Sequence, residues 1–555
     1  MNTDDIADVL EITAKLQELH GENPFKVRAL SSAAYNLSKL RIDLNGKSLP
    51  EIEQIEGIGK GISAKIVELL NTGTTTEFEE LKHKTPIGVI EMLGVKGLGP
   101  KKVRQLWKEL NLETVGELLY ACHENRLIDL KGFGVKTQEG IQKNIEFKQS
   151  NAGKIHFALA EKEVMHTIKK LKQNIRHIEN ISVTGEVRRK NDIVNKIEII
   201  ITTNNPDEVK TILIEDEGYS EDEEIENTFV SGNEGCLTII YLCTPENFYK
   251  ELFETTGSAE FIEHFSETEI ESPESEEEIF ESLGLQFIEP ELRESSSIIN
   301  IAKTNKIPKL IEYADLKGIL HNHSTYSDGM NTLQEMAEYC KELGFQYFGI
   351  SDHSQTAVYA QGLKPEKVLL QQKEIEKLNK QLAPFKIFKG IESDILNDGS
   401  LDYEEEILKT FDFVVASVHS NLKMDEEKAT KRLLKAIENP YTTILGHPTG
   451  RLLLAREGYP IHHKKIIDAC AANNVIIELN AHPYRLDIDW GWIPYCIEKG
   501  VKISINPDAH QKEGLKDMRY GIYSARKGML DNKNCFNALS LEEIEKYFNK
   551  RKNNF

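Results

Sequence analysis

From residue 313 onward the chain repeats one pattern: a short apolar run, a polar residue at its end, then a helical segment. The runs are "DLKGILHNHSTYSDG", "FQYFGISDHS", "IFKGIESDIL", "FDFVVASVHS", "TTILGHP", "VIIELNAHPYRLDI" and "VKISINPDAH". Helical stretches such as "KKIIDACAANN" and "IPYCIEKG" alternate with them. Strands that alternate with helices lie parallel, because each crossover returns the chain to the same edge of the sheet. Such a sheet, covered by its helices, predicts a barrel whose polar strand ends gather at one face.

The residues delivered to that face are His321, His323, Asp328, His353, Glu392, His419, His447, Asp508 and His510. One histidine at a strand end is ordinarily structural. Nine imidazoles and carboxylates at successive strand ends are a ligand set, and the mixture suits Zn²⁺, Mn²⁺ or Fe²⁺, where an all-oxygen set would suit Mg²⁺.

Along its whole length this region resembles the PHP (polymerase and histidinol phosphatase) family, whose fold is a distorted (β/α)7 barrel holding three divalent metal ions. The resemblance implies that His321, His323, Glu392 and Asp508 bind one ion, and Asp328, His353 and His510 a second. Glu392, His419 and His447 would hold the third, with Glu392 shared. Arg451 in "GHPTGR" is expected to contact phosphate, and His482 in "NAHPYR" to be structural. Gln355 stands where many relatives carry a lysine, so one substrate contact does not carry over.

The first 150 residues are of another kind. Helical periodicity is punctuated three times by an apolar residue and a Gly-x-Gly turn, in "IEGIGKGISAKIVELL", "LGVKGLGPKKVRQLWKEL" and "LKGFGVKTQEGIQKNI". Glycine lets the backbone approach a ligand closely, and the next helix points its first N–H groups outward, which together make a cradle for phosphate. Gly57, Gly59, Gly97, Gly99, Gly132 and Gly134 are therefore expected to contact DNA. This is the pattern of helix-hairpin-helix elements, which grip the nucleic-acid backbone without reading bases.

Residues 1–150 resemble the lyase-like and fingers domains of family X DNA polymerases, and the resemblance continues into "TGEVRRKNDIVNKIEII" and "FETTGSAEFIEHF". The order, family X core and then PHP region, is that of the bacterial and archaeal members. Lys65 falls on that family's Schiff-base lysine position, which implies a nucleophile for cleavage at abasic sites. The palm motif, Gly-Ser-x-Arg-Arg followed by Asp-x-Asp, is only partly kept. Gly185, Arg188 and Arg189 remain, as does the Thr-Gly-Ser turn at Thr256, Gly257 and Ser258, but the serine position is Glu186. The two aspartates fall on Lys196 and Glu198, and the third on Ile239, with Asp192 the nearest other acid. Two-metal nucleotidyl transfer needs clustered carboxylates. An ammonium and an isoleucine in their place remove it.

The net charge of -22 is unevenly placed: residues 201–300 hold 27 acidic side chains against 3 basic ones. That block would repel a primer-template and is expected to be a solvated acidic face, or a surface for a repair-protein partner. No run of about 18 apolar residues is long enough to cross a membrane, and the acidic N-terminus is unlike a signal peptide, so a cytoplasmic monomer is expected. The seven cysteines lack CxxC spacing and are expected to be reduced thiols.

The expected architecture is multidomain α and α/β. It comprises a helical lyase-like domain (1–85), a fingers-like helix-hairpin-helix domain (86–150), a degenerate palm (151–240), an acidic thumb-like region (241–312) and a PHP barrel (313–555). The expected activity is metal-dependent DNA phosphodiester hydrolysis, 3′-5′ exonucleolytic, with Glu392 and Asp508 at its centre. A gap-filling polymerase, a non-catalytic repair scaffold and a small-molecule phosphoesterase are the alternatives.

Overall fold

The computed structural model describes residues 3–39, 44, 46–55, 57–123, 126–128, 130–150, 153–231, 236–268, 270 and 273–552. The chain divides into two compact units, residues 1–152 and 153–555.

The described part of the first unit is helical. Its three Gly-x-Gly turns share one geometry. Gly57, Gly97 and Gly132 have φ of 83°, 93° and 88°, the left-handed region where a side chain would be strained. Gly59 and Gly99 then cap the helices Lys60–Thr72 and Pro100–Leu110 from extended backbone. Pro100, just inside its helix, lacks an N–H that would have had no partner there. In the first of these helices Ile66 and Leu69 are buried, in a core with Ile6, Leu10, Leu37 and Ile52. A second core joins Leu16 and Leu19 to Val89, Leu106, Leu118 and Ile141.

In the second unit, β1 (Ile155–His156) pairs with β3 (Ile193–Val194). A five-stranded sheet contains β2 (Asn180–Thr184), β4 (Lys196–Thr202), β5 (Ser220–Glu221), β6 (Thr228–Ser231) and β7 (Leu237–Cys243), in the order β2-β4-β7-β6-β5. Only β4 and β7 run parallel, with Glu198 opposite Ile239. Residues 248–302 form a helical segment with its own aromatic core of Phe253, Phe261, Phe265 and Phe280.

This segment corrects the expectation of a merely solvated acidic block. Glu276 and Glu291 are buried. Glu276 lies between Arg188 (3.0 Å) and the fully buried Arg293 (2.5 Å), and Arg526 pairs with Glu291 at 2.7 Å. Burying charge is costly unless each charge is paired, so these acids serve the core rather than solvent. Positions 232–235, 269, 271 and 272 of the block lie outside the described residues.

Seven parallel strands follow: β8 (Gly318–Ile319), β9 (Tyr347–Ile350), β10 (Lys386–Asp394), β11 (Phe413–Ser417), β12 (Ile444–Leu445), β13 (Ile476–Asn480) and β14 (Ile503–Asn506). They pair in chain order, and between the first and last the recorded bridge is the isolated contact Asn322–Ala509. This is a nearly closed parallel barrel. Phe388, Phe413, Ile444 and Ile476 pack with Phe536 and Phe548 at the end where the strands begin. A Cβ on Gly390 would stand 2.2 Å from the Phe413 ring, so the strand gives up a side chain to admit the phenyl. With that end filled, polar residues have room only at the other.

All seven cysteines are free thiols. Among the described residues no helix is long and apolar enough to cross a membrane.

Candidate metal centre

The strand ends bring the nine expected ligands into one cluster, centred on Glu392, the carboxylate near the end of β10. Its Oε1 lies 3.1 Å from His321 Nε2, 3.1 Å from His419 Nε2 and 3.0 Å from His447 Nε2. Its Oε2 lies 2.9 Å from His353 Nδ1 and 3.6 Å from His323 Nε2. On the other side Asp508 Oδ1 is 2.9 Å from His323 Nε2 and 3.5 Å from His321 Nε2. Asp328 Oδ1 faces His510 at 3.5 Å and His353 at 3.7 Å.

Four sets of donor atoms lie close enough to share an ion: His323, Asp328, His353 and His510; His321, His323 and Asp508; His321, Glu392 and His447; His353, Glu392 and His419. Relative to the expected grouping, His323 faces the Asp328 set as well as Asp508, and His321 faces Glu392 and His447 as well as His323 and Asp508.

The donor chemistry fits divalent cations. His323 Nδ1 is buried and makes no hydrogen bond among the described residues. Such an orphan is costly unless a cation takes its lone pair. The electrostatics agree. Burial opposes charge on His321, yet Glu478, Glu392 and Asp508 hold it well above the ordinary histidine range. Burial likewise opposes charge on His419, which Glu392 and Asp394 nevertheless push up to about 10. His323, buried and beside His510 and His353, is pushed down to about 3. The cluster attracts positive charge, whether carried by protons or by metal ions.

Around the ligands stands a set of residues the sequence reading missed. Asp394 receives His419 Nδ1 at 2.6 Å and the Thr356 hydroxyl at 2.7 Å. Glu478 lies 2.6 Å from His321 Nδ1. Both are acids within apolar runs, "IESDIL" and "VIIELN", and an acid in a buried strand is the signal that marks them. His482 accepts from Tyr484 N and takes no part in the cluster, as expected of a structural residue. Gln355 is tied to the Asp402 carbonyl at 2.7 Å.

Arg451 is a correction. Its Nε donates to the Arg485 carbonyl at 3.0 Å and its two terminal nitrogens to Asp489 (2.7 Å), Asp192 (3.3 Å) and the Leu486 carbonyl. A guanidinium so committed is not open to a phosphate.

In the five-stranded sheet the surroundings of Lys196 and Glu198 are closed. Lys196 and Tyr241 both hold Glu198 Oε1 at 2.8 Å. A Cβ on Gly185 would lie 1.8 Å from the other Glu198 oxygen, so the carboxylate packs on the turn rather than facing an open site. Glu186 accepts from Asn195 Nδ2 at 2.9 Å. Arg188 is taken by Glu276, and Arg189 donates to Glu294 at 3.1 Å and to the Thr256 carbonyl at 2.7 Å. In the first unit, Lys65 forms an ion pair with Glu77, which also accepts from Gln17 at 2.9 Å.

A nearly closed barrel crowned by histidines and acids, in a chain that also carries tandem hairpin turns, defines a PHP-domain protein with helix-hairpin-helix elements. The comparisons agree. The helix-hairpin-helix domain family matches residues 1–75, the SAM-like helix-hairpin-helix tandem residues 89–145, and the PHP domain family residues 320–482. The DNA polymerase/3′-5′ exonuclease PolX of Bacillus subtilis is 36% identical over 581 aligned residues, covering 99% of each chain. A protein of Acetivibrio thermocellus named "Probable phosphatase" is 28% identical over 34% of this chain and 78% of its own, and one of Thermoanaerobacter sp. with that designation is 31% identical over 35% and 80%. The chain belongs to the PolX family of DNA polymerase/3′-5′ exonucleases.

Proposed function

We propose that this chain is a metal-dependent DNA phosphodiesterase, a 3′-5′ exonuclease of DNA repair, with its chemistry in the barrel and a polymerase core that no longer transfers nucleotides. The observation that carries the reading is Glu392: one buried carboxylate whose two oxygens are approached by five histidines. His321, His323, Asp328, His353, Glu392, His419, His447, Asp508 and His510 would hold three divalent ions, of zinc, manganese or iron. When bound, such ions supply Lewis acidity toward the phosphate oxygens and the attacking water.

The rest is done by the chain. Asp394 fixes the ring of His419 beside a cavity of 490 Å³ lined by Thr356, Asn397, Asp398 and Ser420. That space suits the terminal nucleoside of a strand whose scissile phosphate lies on the cluster. Departure of the 3′-oxygen of the preceding residue leaves nucleoside 5′-monophosphates. The hairpin turns at Gly57, Gly59, Gly97, Gly99, Gly132 and Gly134 hold the DNA backbone without sequence preference. Retained polymerisation is disfavoured by the ion pair of Lys196 with Glu198, by Ile239 opposite it, and by the commitment of Arg188 and Arg189 to Glu276 and Glu294.

The test is incubation of the purified protein with Mn²⁺ and end-labelled single-stranded, recessed and gapped DNA, with and without nucleotides. Stepwise shortening from the 3′ end with release of 5′-monophosphates is expected on each, and nucleotides are expected to add nothing. Release of inorganic phosphate from small monoesters, with DNA left intact, would instead favour the reading that the phosphatase relatives represent.

A further inference from the structure

The barrel has one strand whose end carries none of the nine candidate ligands: β13. It carries Glu478 instead, fully buried, and this single carboxylate touches three of its neighbours. Oε1 lies 2.6 Å from His321 Nδ1 and accepts from Asn506 Nδ2 at 2.9 Å, while Oε2 accepts from the backbone N–H of His447 at 2.8 Å. Asn480, two residues on, donates to Asp508 Oδ2 at 3.1 Å. Three of the residues so joined have backbones that are not relaxed. His321, His447 and Asp508 have φ of 60°, 21° and 52°, a region that residues with a side chain enter only when the surroundings impose it.

We propose that Glu478 is the positioning residue of the metal centre. Accepting the Nδ1–H of His321 selects the tautomer in which Nε2, 3.1 Å from Glu392 and 3.5 Å from Asp508, presents its lone pair to the site. Accepting the His447 amide holds that residue in its strained turn, and the bond from Asn506 steadies the strand that leads to Asp508. The proposal rests on the metal-dependent reading above and assigns a role to a residue that would touch neither metal nor substrate.

The experiment is Mn²⁺ binding to the full-length protein and to Glu478→Gln, which keeps the volume but turns one acceptor into a donor facing N–H groups. Electron paramagnetic resonance counts free and bound ion, with kcat and KM on single-stranded DNA measured alongside. Expected is a loss of affinity of roughly 10- to 100-fold for at least one ion, KM for DNA unchanged, and a kcat that excess Mn²⁺ partly restores. A folded Glu478→Gln with wild-type affinity overturns the proposal. A second measurement does not depend on Glu478→Gln folding: histidine-selective ¹⁵N spectra of the Zn²⁺-loaded wild type, assigned by loss of the signal in His321→Asn, should show the His321 proton on Nδ1. Its presence on Nε2 also overturns the proposal. Failure of the wild type to bind Mn²⁺ at all would remove the underlying reading as well, and is recognised from the wild type alone.

Discussion

Arg451, in the loop after β12, donates to Asp192, in the turn before β3, across 3.3 Å. The contact joins the barrel to the turn before β3, the partner of β1, within one compact unit, and the arginine is not used as its sequence context implied. The arginine expected to meet phosphate is a structural tie, and Asp192 faces the barrel. Around them Leu486 and Tyr520 of the barrel region share a core with Phe157 and Val187, on helices beside the sheet, and with Ile197 of β4. Lys527 adds a bond of 2.5 Å to Glu294.

Asp192 gives a pH prediction. Burial pushes its carboxyl up to about 6, against the pull of Arg451. The folded chain then holds this proton more tightly than the unfolded chain, so the contribution of Asp192 to stability is greatest below about pH 4 and declines as pH rises through about 6. The shift corresponds to about 3 kcal/mol. Asp192→Asn, which resembles the protonated form, should therefore unfold at a higher temperature than wild type at pH 8, and by a much smaller margin at pH 4.5. Calorimetry of the two proteins across that range checks it, and equal curves at pH 8 would refute it.

Glu392→Ala should abolish DNA hydrolysis and lower the number of Mn²⁺ ions bound, since it removes the oxygens that five histidines face. His323→Ala should reduce hydrolysis less and be partly rescued by excess Mn²⁺. Metal counting and product analysis on sequencing gels decide. DNA degradation that survives both Glu392→Ala and chelator would place the nuclease elsewhere.

No nucleotide incorporation is expected with any divalent metal on a gapped template. Replacing Lys196, Glu198 and Ile239 together by aspartate should not restore it, because Arg188 and Arg189 remain held by Glu276 and Glu294. Primer extension by the wild type that disappears in Glu198→Ala would show the opposite.

Lys65 must leave Glu77 before its amine can attack an abasic sugar. Borohydride trapping on abasic DNA is therefore expected to give no adduct with the wild-type protein. A covalent product that forms with wild type and vanishes in Lys65→Ala would assign it the lyase role after all.

Removing residues 1–152, a compact unit by itself, should weaken binding to long DNA while sparing hydrolysis of a small phosphodiester such as a bis-nitrophenyl ester. Fluorescence anisotropy and a colorimetric assay on the same preparation read the two effects separately.

The barrel and its ligand-bearing positions were legible because parallel strands impose a repeating pattern, and strand ends such as those of His321 and Asp508 are fixed by where apolar runs stop. The hairpin turns were legible for a similar reason: a left-handed backbone at Gly57, Gly97 and Gly132 selects glycine. What the sequence hid are relationships between distant segments. "VIIELN" shows an acid in a strand but not that Glu478 reaches His321, 157 residues away. "ESEEEIFE" reads as a solvated run, although Glu276 in it is buried between two arginines. Arg451 lies at the ligand-bearing face of the barrel, but chain order does not show that Asp192 already occupies its guanidinium.

Closure of the barrel depends on residues that flank the candidate metal ligands. β8 and β14 are the two ends of the sheet, and what links them is the Asn322–Ala509 bridge, with the His323 amide donating to Ala509 at 2.9 Å. That bridge lies between His321 and His323 on one side and Asp508 and His510 on the other. A cation shared across the gap would act as a clasp, replacing the ladder of hydrogen bonds that the other strand pairs possess. Depleted of cations, the cylinder should breathe along this seam first, with amide exchange at residues 321–323 and 508–510 quickening before that of β10 or β11. The face proposed to cut DNA would then also be the part that holds the barrel wall shut.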